Sequence, residues 1–354
     1  MARAIPNPKK ILVRLPNWVG DVVMATPALR ALGAAHPDAE LVVEGRPYSR
    51  PLVEDLPYVS RFIADPGKGL AKTRARVRAL KAEGFDWAVL MPDSQRAAYA
   101  PWRAGIPVRI GYSRDIAREL MTTHRLRHPK TPDGKRLAFS MIERYLRITR
   151  MLGCADQGDT MDLLVRDEWR AEIAEILAGI GLSRAPSADE RLCVVICGAS
   201  FGSSKMWPAE HFGAACDGLR RSLGLVPLVS HAPGEEGVAD AVRRSAEDGV
   251  HVLAGLHLGL LAALLERTTL VLTNDTGPRS MAVALGIPCV VLMGPTHSGH
   301  TDHHLARQRV LREAVDCAPC ALKKCPIDHR CMTRLRPERA VGAARELLES
   351  LALP

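Results

Sequence analysis

A short polar turn at residues 274–277 carries side chains suited to binding an anion. An apolar stretch of strand length precedes this turn, and a second one follows the segment of helical length at 281–285, with Gly and Pro at the joints. This pattern predicts a strand, the turn, a short helix and a second strand. Thr276 can cap the helix, and Gly277 lets the backbone approach a ligand closely. The free N–H groups of residues 276–280 would then form an anion site, and phosphate is its natural occupant. An ordinary strand-to-helix junction with a polar cap is the alternative.

Three further side chains stand at predicted strand-to-helix junctions. Asp21 begins a predicted helix, where the helix dipole favours an ionised carboxylate that can act as a general base; an Asp that only complements the dipole is the alternative. Lys205 is the one cation of the loop at 198–208, which is not a Walker A loop because no Gly precedes the Lys, so a plain loop lysine stays open. Glu235 follows the next strand and can accept from ribose hydroxyls or simply stand in the first turn of its helix.

Four cysteines cluster near the end of the chain, at Cys317, Cys320, Cys325 and Cys331, with His329 between the last two. The C-x₂-C start suits Zn²⁺ or an Fe–S centre, but the later spacings fit neither kind of site well. A structural metal site and inert thiols are therefore both open. The odd total of nine cysteines, without an export signal, indicates thiols or metal ligands rather than a disulfide framework.

The elements that must position these residues alternate between strand and helix along the chain. A β-rich run at 9–15, a loop with Gly20 and a helix at 21–32 form the opening unit of a doubly wound α/β domain, and the second half repeats the alternation. We therefore expect two Rossmann-like α/β domains facing a cleft. The predicted parts are an N-terminal α/β domain at 1–160, a linker region at 161–190, a C-terminal α/β domain at 191–335 and a C-terminal helix within 336–354. The segment at 113–136, rich in Arg, His and Pro, is predicted to be a long functional loop.

The charge of the chain is unevenly distributed. Residues 1–150 hold 27 Lys and Arg against 14 Asp and Glu, a balance of +13, whereas the remainder holds 21 against 25, a balance of −4. The first half should therefore face an anionic partner, such as a nucleic acid, a membrane surface or a phosphorylated glycolipid. With five Phe, five Tyr and five Trp, and no run that interleaves aromatics with Arg, nucleic acid is the least favoured.

Neither a signal peptide nor a membrane span is predicted. The first ten residues are not followed by an apolar h-region, and the longest apolar run, at 281–294, is too short to span a bilayer. We therefore expect the protein in the cytoplasm. The basic segment at 70–83 has a thin apolar stripe, which favours a solvated surface helix over one that contacts a membrane.

Five segments, in order, resemble the ADP-heptose:lipopolysaccharide heptosyltransferases of glycosyltransferase family 9. They are residues 15–26 (LPNWVGDVVMAT), 198–208 (GASFGSSKMWP), 273–286 (TNDTGPRSMAVALG), 294–296 (GPT) and 317–332. Each segment alone is weak, and their joint order along nearly the whole chain is specific. The resemblance implies a glycosyltransferase-B architecture, an inverting reaction and a nucleotide-sugar donor held mostly by the C-terminal domain.

The resemblance also assigns roles by position. Asp21 matches the family's catalytic carboxylate, Lys205 matches a lysine near the donor phosphates, and Asp275 begins the D-T-G donor motif. Ser280 stands where many members have His, five residues after that Asp. The candidate catalytic residues are Asp21 and Lys205, and the candidate donor-binding residues are Ser200, Lys205, Glu235, Asp275, Thr276, Gly277 and Ser280.

The implied reaction is a direct displacement. Asp21 would take the proton of an acceptor heptose hydroxyl, and Lys205 would stabilise the departing diphosphate, with no cofactor and no divalent metal required. The implied partners are ADP-heptose and an anionic heptosyl-Kdo2-lipid A at the inner face of the cytoplasmic membrane, where the protein would make peripheral contact. From charge alone, the candidate acceptor-binding residues are Arg114, Arg118, Arg125 and Arg136. The alternatives are a relative with another donor or acceptor sugar and, in a different class, a non-catalytic protein that binds a nucleotide or an anionic polymer.

Overall fold

The computed structural model describes residues 6–134, 137–185 and 190–352. The chain forms two compact units, Met1–Leu164 and Val165–Pro354. Each contains a six-stranded sheet in which all the paired strands are parallel, with helices in the connections. The predicted α/β class with two Rossmann-like domains is confirmed.

The first unit has the strand order β3-β2-β1-β4-β5-β6. The order reverses between β1 and β4, and open α/β sheets bind ligands outside the carboxyl ends of the strands at such a point. The strands are β1 (Lys10–Arg14), β2 (Glu40–Gly45), β3 (Arg61–Ala64), β4 (Trp87–Leu90), β5 (Val108–Ser113) and β6 (His124–Arg127). The helices are α1 (Val19–Met24), α2 (Thr26–Ala35), α3 (Leu70–Glu83), α4 (Gln95–Arg103), α5 (Ile116–Met121) and α6 (Met141–Met151).

The second unit repeats this topology, with the strand order β12-β11-β10-β7-β8-β9 and the reversal between β7 and β10. Its strands are β7 (Arg191–Ile196), β8 (Leu225–His231), β9 (His251–Ala254), β10 (Thr268–Asn274), β11 (Cys289–Leu292) and β12 (Gln308–Leu311). Its helices are α7 (Asp167–Gly179), α8 (Ala209–Leu223), α9 (Glu236–Ser245), α10 (Leu258–Glu266), α11 (Gly277–Ala284), α12 (Arg330–Thr333) and α13 (Pro337–Ser350).

The central strands are buried on both faces. Leu12 and Val13 in β1, and Val194 and Val195 in β7, have no exposed surface. Helices cover both faces of a parallel sheet, so its central strands read as continuous apolar runs rather than as an alternation of apolar and polar residues. This is why the run predicted at 9–15 agrees to within one residue with β1 at Lys10–Arg14.

One segment differs from the sequence prediction. The predicted long loop at 113–136 is wrong, because α5 and β6 lie within it. The strand β6 pairs with β5 at the edge of the sheet, and its residues His-Arg-Leu-Arg alternate between half-buried and exposed, so it lacks the apolar pattern of an inner strand. The region at 161–190, which stays a predicted linker, contains the helix α7, and this helix packs against α10 in the second unit.

None of the helices among the described residues combines the length and the apolar character needed to cross a bilayer.

Candidate active site

Lys205 lies at the reversal point of the second sheet. After β7 the chain forms a loop and a short 3₁₀ turn, Ser203–Lys205. The Nζ of Lys205 donates to the main-chain oxygen of Asp275 at 2.7 Å and to its Oδ2 at 2.9 Å. Asp275 directly follows β10, the neighbour of β7, so the sheet brings together two residues that are 70 positions apart. The structure thus joins the predicted lysine to the predicted D-T-G motif.

Asp275 is the centre of a buried charge network. Its Oδ1 accepts from Arg279 at 3.0 Å, and its Oδ2 also accepts from the hydroxyl of Thr296 at 2.9 Å. Burial alone would raise the pKa of Asp275, but the positive charges of Lys205 and Arg279 outweigh it and lower the pKa to about 2. The carboxylate therefore stays ionised and holds the lysine in place.

This pKa shift predicts a defined acid sensitivity. The folded pKa of Asp275 lies below its ordinary value of 3.8, so its contribution to stability is complete above about pH 4 and is lost as the pH falls through about 2. The contribution is about 2 kcal/mol. We expect the free energy of unfolding, measured by urea titration, to fall by about 2 kcal/mol more between pH 4 and pH 2 in the wild type than in Asp275→Asn. An equal fall in both proteins would contradict this account.

Sequence reasoning did not single out Arg279. Its side chain is 2% exposed, and its Nε donates to Gln308 at 2.8 Å while Nη1 reaches Asp275. The available signal was its spacing, because an Arg four residues after an Asp at a helix start can pair with that Asp on one helical face.

Asn274 fixes the loop that carries Lys205. Its amide nitrogen donates to the main-chain oxygen of Cys197 at 2.8 Å, and its amide oxygen accepts from the N–H of Trp207 at 3.1 Å. One side chain at the end of β10 therefore holds both ends of the loop. Buried amide bonds of this kind restrict the positions that Lys205 can take.

Glu235 and Ser200 lie at loops that follow neighbouring strands of the same sheet. Glu235 precedes α9 and accepts from the N–H of Ala232 at 3.1 Å. The carboxylate of Glu235 lies directly against Gly198. A Cβ atom at residue 198 would stand 2.0 Å from the carboxylate carbon, so this position of Glu235 requires glycine at 198. Ser200 is exposed in the loop before Lys205.

The start of α11 offers backbone N–H groups beside this network. Gly277 is the first helical residue, and Thr276 occupies the N-cap position. The predicted cap by Thr276 is wrong: within the described residues its hydroxyl makes no bond to an N–H of the first turn, and it lies 3.4 Å from the hydroxyl of Thr273. Ser280, one turn further on, is buried. A helix start whose donors lack a side-chain cap suits an anionic ligand.

Asp21 lies in the first turn of α1, which follows β1 at the reversal point of the first sheet. It is half-buried, and the preceding Trp18 is 51% exposed. Burial raises the pKa of the Tyr145 hydroxyl, and the carboxylate of Asp21 raises it further, which places the two side chains near each other. The predicted base therefore stands at the ligand-binding edge of its own unit, against α6.

The predicted acceptor arginines do not form one group. Arg114 is about half exposed and its Nη1 lies 3.5 Å from Asp93. Arg125 is exposed on β6. Arg136 lies outside the described residues.

Arg118 corrects the sequence prediction. Its side chain has no exposed surface, and its guanidinium donates to the main-chain oxygens of Pro92 at 2.7 Å and Tyr112 at 3.1 Å and also to Ser94. A guanidinium enclosed by carbonyl groups is not offered to a ligand. Arg118 instead holds the loop after β4 that carries Asp93.

A basic pocket of about 410 Å³ lies at the edge of the first unit and was missed by sequence reasoning. Lys68, Arg76, Gln95, Arg96 and Tyr99 line it, among others. Arg76 was predicted to be solvated with the rest of its helix, but it is buried and paired with Glu44 through two bonds of 2.5 Å.

The charge beside the pocket is only partly compensated. Asp65 pairs with Arg14 at 2.8 Å and lies 3.7 Å from Arg96. Burial alone would raise the pKa of Asp65, but the N–H of Gly67 and these arginines lower it below its usual value. Lysine and arginine side chains thus outnumber the carboxylates here, which favours an anionic ligand.

The four clustered cysteines are free thiols. Burial raises the pKa of Cys331 to about 11, and the thiols of Cys317, Cys325 and Cys320 contribute to the rise, so each of these three lies in the neighbourhood of Cys331. In the part of the chain that the structure describes, however, no three His, Cys, Asp or Glu side chains are placed to hold a metal ion. The structure does not support the candidate structural metal site.

The chain is similar to known proteins along most of its length. The family model described as glycosyltransferase family 9 (heptosyltransferase) matches residues 73–330. Lipopolysaccharide heptosyltransferase 2 of Escherichia coli K12 is 28% identical over 313 residues, which cover 86% of this chain and 88% of that protein.

Two solved structures share the fold along nearly their whole length. A family 9 glycosyl transferase from Veillonella parvula has a TM-score of 0.80 at 25% identity, covering 96% of this chain and 97% of that one. The ADP-heptose lipopolysaccharide heptosyltransferase II of E. coli has a TM-score of 0.77 at 25% identity, covering 97% and 99%.

Proposed function

Because this chain belongs to glycosyltransferase family 9, the heptosyltransferases, we propose that it moves heptose from ADP-L-glycero-D-manno-heptose to the inner-core heptose of heptosyl-Kdo2-lipid A. The chain is a glycosyltransferase, and the proteins similar to it over most of its length include lipopolysaccharide heptosyltransferase 2 of E. coli and the solved E. coli heptosyltransferase II. The observation that carries the proposal is the pairing of Lys205 with Asp275 at the reversal point of the second sheet.

The donor diphosphate would bind to the second unit beside Lys205. An ammonium group, the uncapped start of α11 and the neighbouring loop that carries Ser200 together supply positive charge and N–H donors at one edge of the sheet. As the bond to the sugar breaks, the diphosphate gains negative charge, and fixed cations and dipoles stabilise that state more than the ground state. Glu235 is proposed to accept from the ribose hydroxyls, since its carboxylate stands at the end of the neighbouring strand.

Asp21 is proposed as the general base. It would take the proton from the acceptor hydroxyl as the oxygen attacks the anomeric carbon on the face opposite ADP. A single displacement through an oxocarbenium-like state inverts the configuration at that carbon. The half-buried position of Asp21 at the start of a helix keeps a carboxylate available for this step.

The basic pocket of the first unit is proposed to hold phosphate or carboxylate groups of the acceptor. Lys68 and Arg96 are exposed at its rim, and Arg114 and Arg125 are accessible elsewhere on the same unit. A glycolipid of this kind would also bring the protein to the inner face of the cytoplasmic membrane, where the charge balance of +13 in residues 1–150 favours peripheral contact.

The pocket gives a testable prediction. We expect Arg96→Ala to raise the acceptor KM about tenfold at low salt, because a charge-assisted hydrogen bond to an anionic group is lost. The KM for ADP-heptose should not change. Arg78→Ala is the matched control, since Arg78 is exposed on the outer side of α3. The measurement is steady-state kinetics, and an equal rise of the acceptor KM in both variants would contradict the assignment.

The test of the function is product mass. The purified protein, given ADP-heptose and a panel of truncated core glycolipids, should add one heptose to the heptosyl-Kdo2 acceptor and none to the acceptor that lacks heptose. Addition to another acceptor, or from another nucleotide sugar, would support the relative with different substrates. ADP binding without transfer to any acceptor would support a non-catalytic binding protein.

A further inference from the structure

The cysteine-bearing segment, residues 317–331, lies directly against the turn that presents Lys205. The N–H of Ser204 donates to the main-chain oxygen of Lys323 at 3.1 Å, and the Ser204 hydroxyl donates to the main-chain oxygen of Leu322. The Nε2 of His329 lies 2.7 Å from the main-chain oxygen of Ser204. All three bonds meet at the residue that precedes Lys205.

His329 acts as a donor in this contact. A carbonyl oxygen only accepts, so the hydrogen must be on Nε2 of the imidazole. The backbone of His329 is held too, because its oxygen accepts from the N–H of Met332 at 2.9 Å at the start of α12. Met332 and Cys331 pack against Gly294. A Cβ atom placed on Gly294 would lie 2.5 Å from the sulfur of Met332 and 2.9 Å from the sulfur of Cys331, so no side chain fits there. The imidazole of His329 therefore belongs to a residue at the start of the packed helix α12, which restricts its position.

The turn and the segment approach too closely for a side chain between them. Gly202 has a φ of +149°, which favours glycine, and a Cβ there would lie 2.3 Å from the main-chain oxygen of Lys323. The 3₁₀ turn of Lys205 begins at the next residue. The path of the turn is thus set by its contact with the cysteine-bearing segment.

The same segment also reaches the other side of the ion pair. The N–H of Ala321 donates to the main-chain oxygen of Pro295 at 2.8 Å. The next residue, Thr296, donates its hydroxyl to Asp275 at 2.9 Å. The cysteine-bearing segment therefore contacts both the turn that carries Lys205 and the turn that carries Thr296, which binds Asp275.

We propose that the cysteine-bearing segment positions Lys205 for the donor diphosphate, with His329 as a positioning residue through its bond to Ser204. The inference rests on the proposed role of Lys205 in donor use. In this role His329 acts through the turn of the lysine, by its contact with Ser204. Small displacements of a group that contacts the reacting centre are costly in rate, which gives a distant hydrogen bond a kinetic effect.

The experiment is a double-mutant cycle on the full chain. The variants are His329→Ala, His329→Gln and the neighbouring control Asp328→Asn, whose carboxylate is exposed and pairs with Arg330 at 3.0 Å. Each is made in the wild type and in Lys205→Ala, and kcat and KM for ADP-heptose are measured together with Tm.

We expect His329→Ala to lower kcat/KM for ADP-heptose about tenfold and leave the acceptor KM unchanged. His329→Gln should restore most of the loss, because its amide nitrogen can donate to the same carbonyl. Asp328→Asn should match the wild type. In the Lys205→Ala background, His329→Ala should cause no further loss, since the two residues act as one unit.

The proposal would be overturned if His329→Ala lowered kcat/KM for ADP-heptose by the same factor in the wild type and in Lys205→Ala. Wild-type kinetics for His329→Ala would overturn it as well. If His329→Ala does not fold, Ser204→Ala serves instead, since it removes only the hydroxyl bond to Leu322, and the same lack of additivity is expected. An unchanged donor kcat/KM in Lys205→Ala alone would instead refute the proposed role of the lysine. Failure of the positioning proposal and failure of the proposed function are thereby distinguished.

Discussion

Replacing Asp21 with Asn is expected to lower kcat by about 10²–10⁴-fold, the usual contribution of a general base. Asn has nearly the same size as Asp, but it cannot take a proton from the acceptor hydroxyl. The dissociation constant for ADP, measured by calorimetry, should stay the same, because the donor is proposed to bind to the second unit. Transfer is measured by the mass of the glycolipid product.

Asp38→Asn is the matched control for this variant. Asp38 is an exposed carboxylate of the same unit, so its replacement makes the same change in charge without touching α1. Transfer by Asp21→Asn at the wild-type rate would remove Asp21 from the mechanism. Loss of both transfer and ADP binding would indicate a disturbed fold rather than a missing base.

Replacing Lys205 with Ala is expected to lower kcat/KM for ADP-heptose by about 10²–10³-fold, the range observed when one preorganised donor to a developing anion is removed. The acceptor KM should change little. Steady-state kinetics with ADP-heptose as the varied substrate make the measurement.

The fold should survive this change, because Asp275 keeps its bonds to Arg279 and Thr296. Removing one partner of a buried pair is nevertheless costly, so Tm should fall, and Tm is measured in parallel. Arg244→Ala, which removes an exposed cation on α9 of the same unit, controls for the change in net charge. An equal effect of both variants on donor kinetics would show that net charge, not a contact with the diphosphate, is responsible.

Arginine is the residue type for which sequence and structure diverge most. Arg118 and Arg125 lie seven positions apart in a basic stretch, and charge alone gave them the same role. Arg118 is enclosed because carbonyls from the loop after β4, some 24 to 26 residues away, turn toward it. Arg125 is exposed because β6 forms the edge of the sheet. No local pattern separates these two environments.

The role of the cysteine-bearing segment could not be read from a local sequence pattern either. Their spacing suggested a metal site, whereas the structure uses the main chain of that segment to hold the turn of Lys205. Two of the three contacts at Ser204 are made by main-chain carbonyl groups, which every residue has, and the third is made by the imidazole of His329. The spacing of the cysteines therefore carried no signal for these contacts.

The sequence by itself determined the alternation of strands and helices, the likeness of the two halves and the order of the family motifs, because periodicity and the positions of Gly and Pro act over a few residues. Only the tertiary structure decided which charges are paired. Lys205 meets Asp275 because β7 and β10 are neighbours in a sheet whose order reverses between them. Electrostatic partners are chosen by adjacency in space, and adjacency across 70 residues is set by the topology of the sheet.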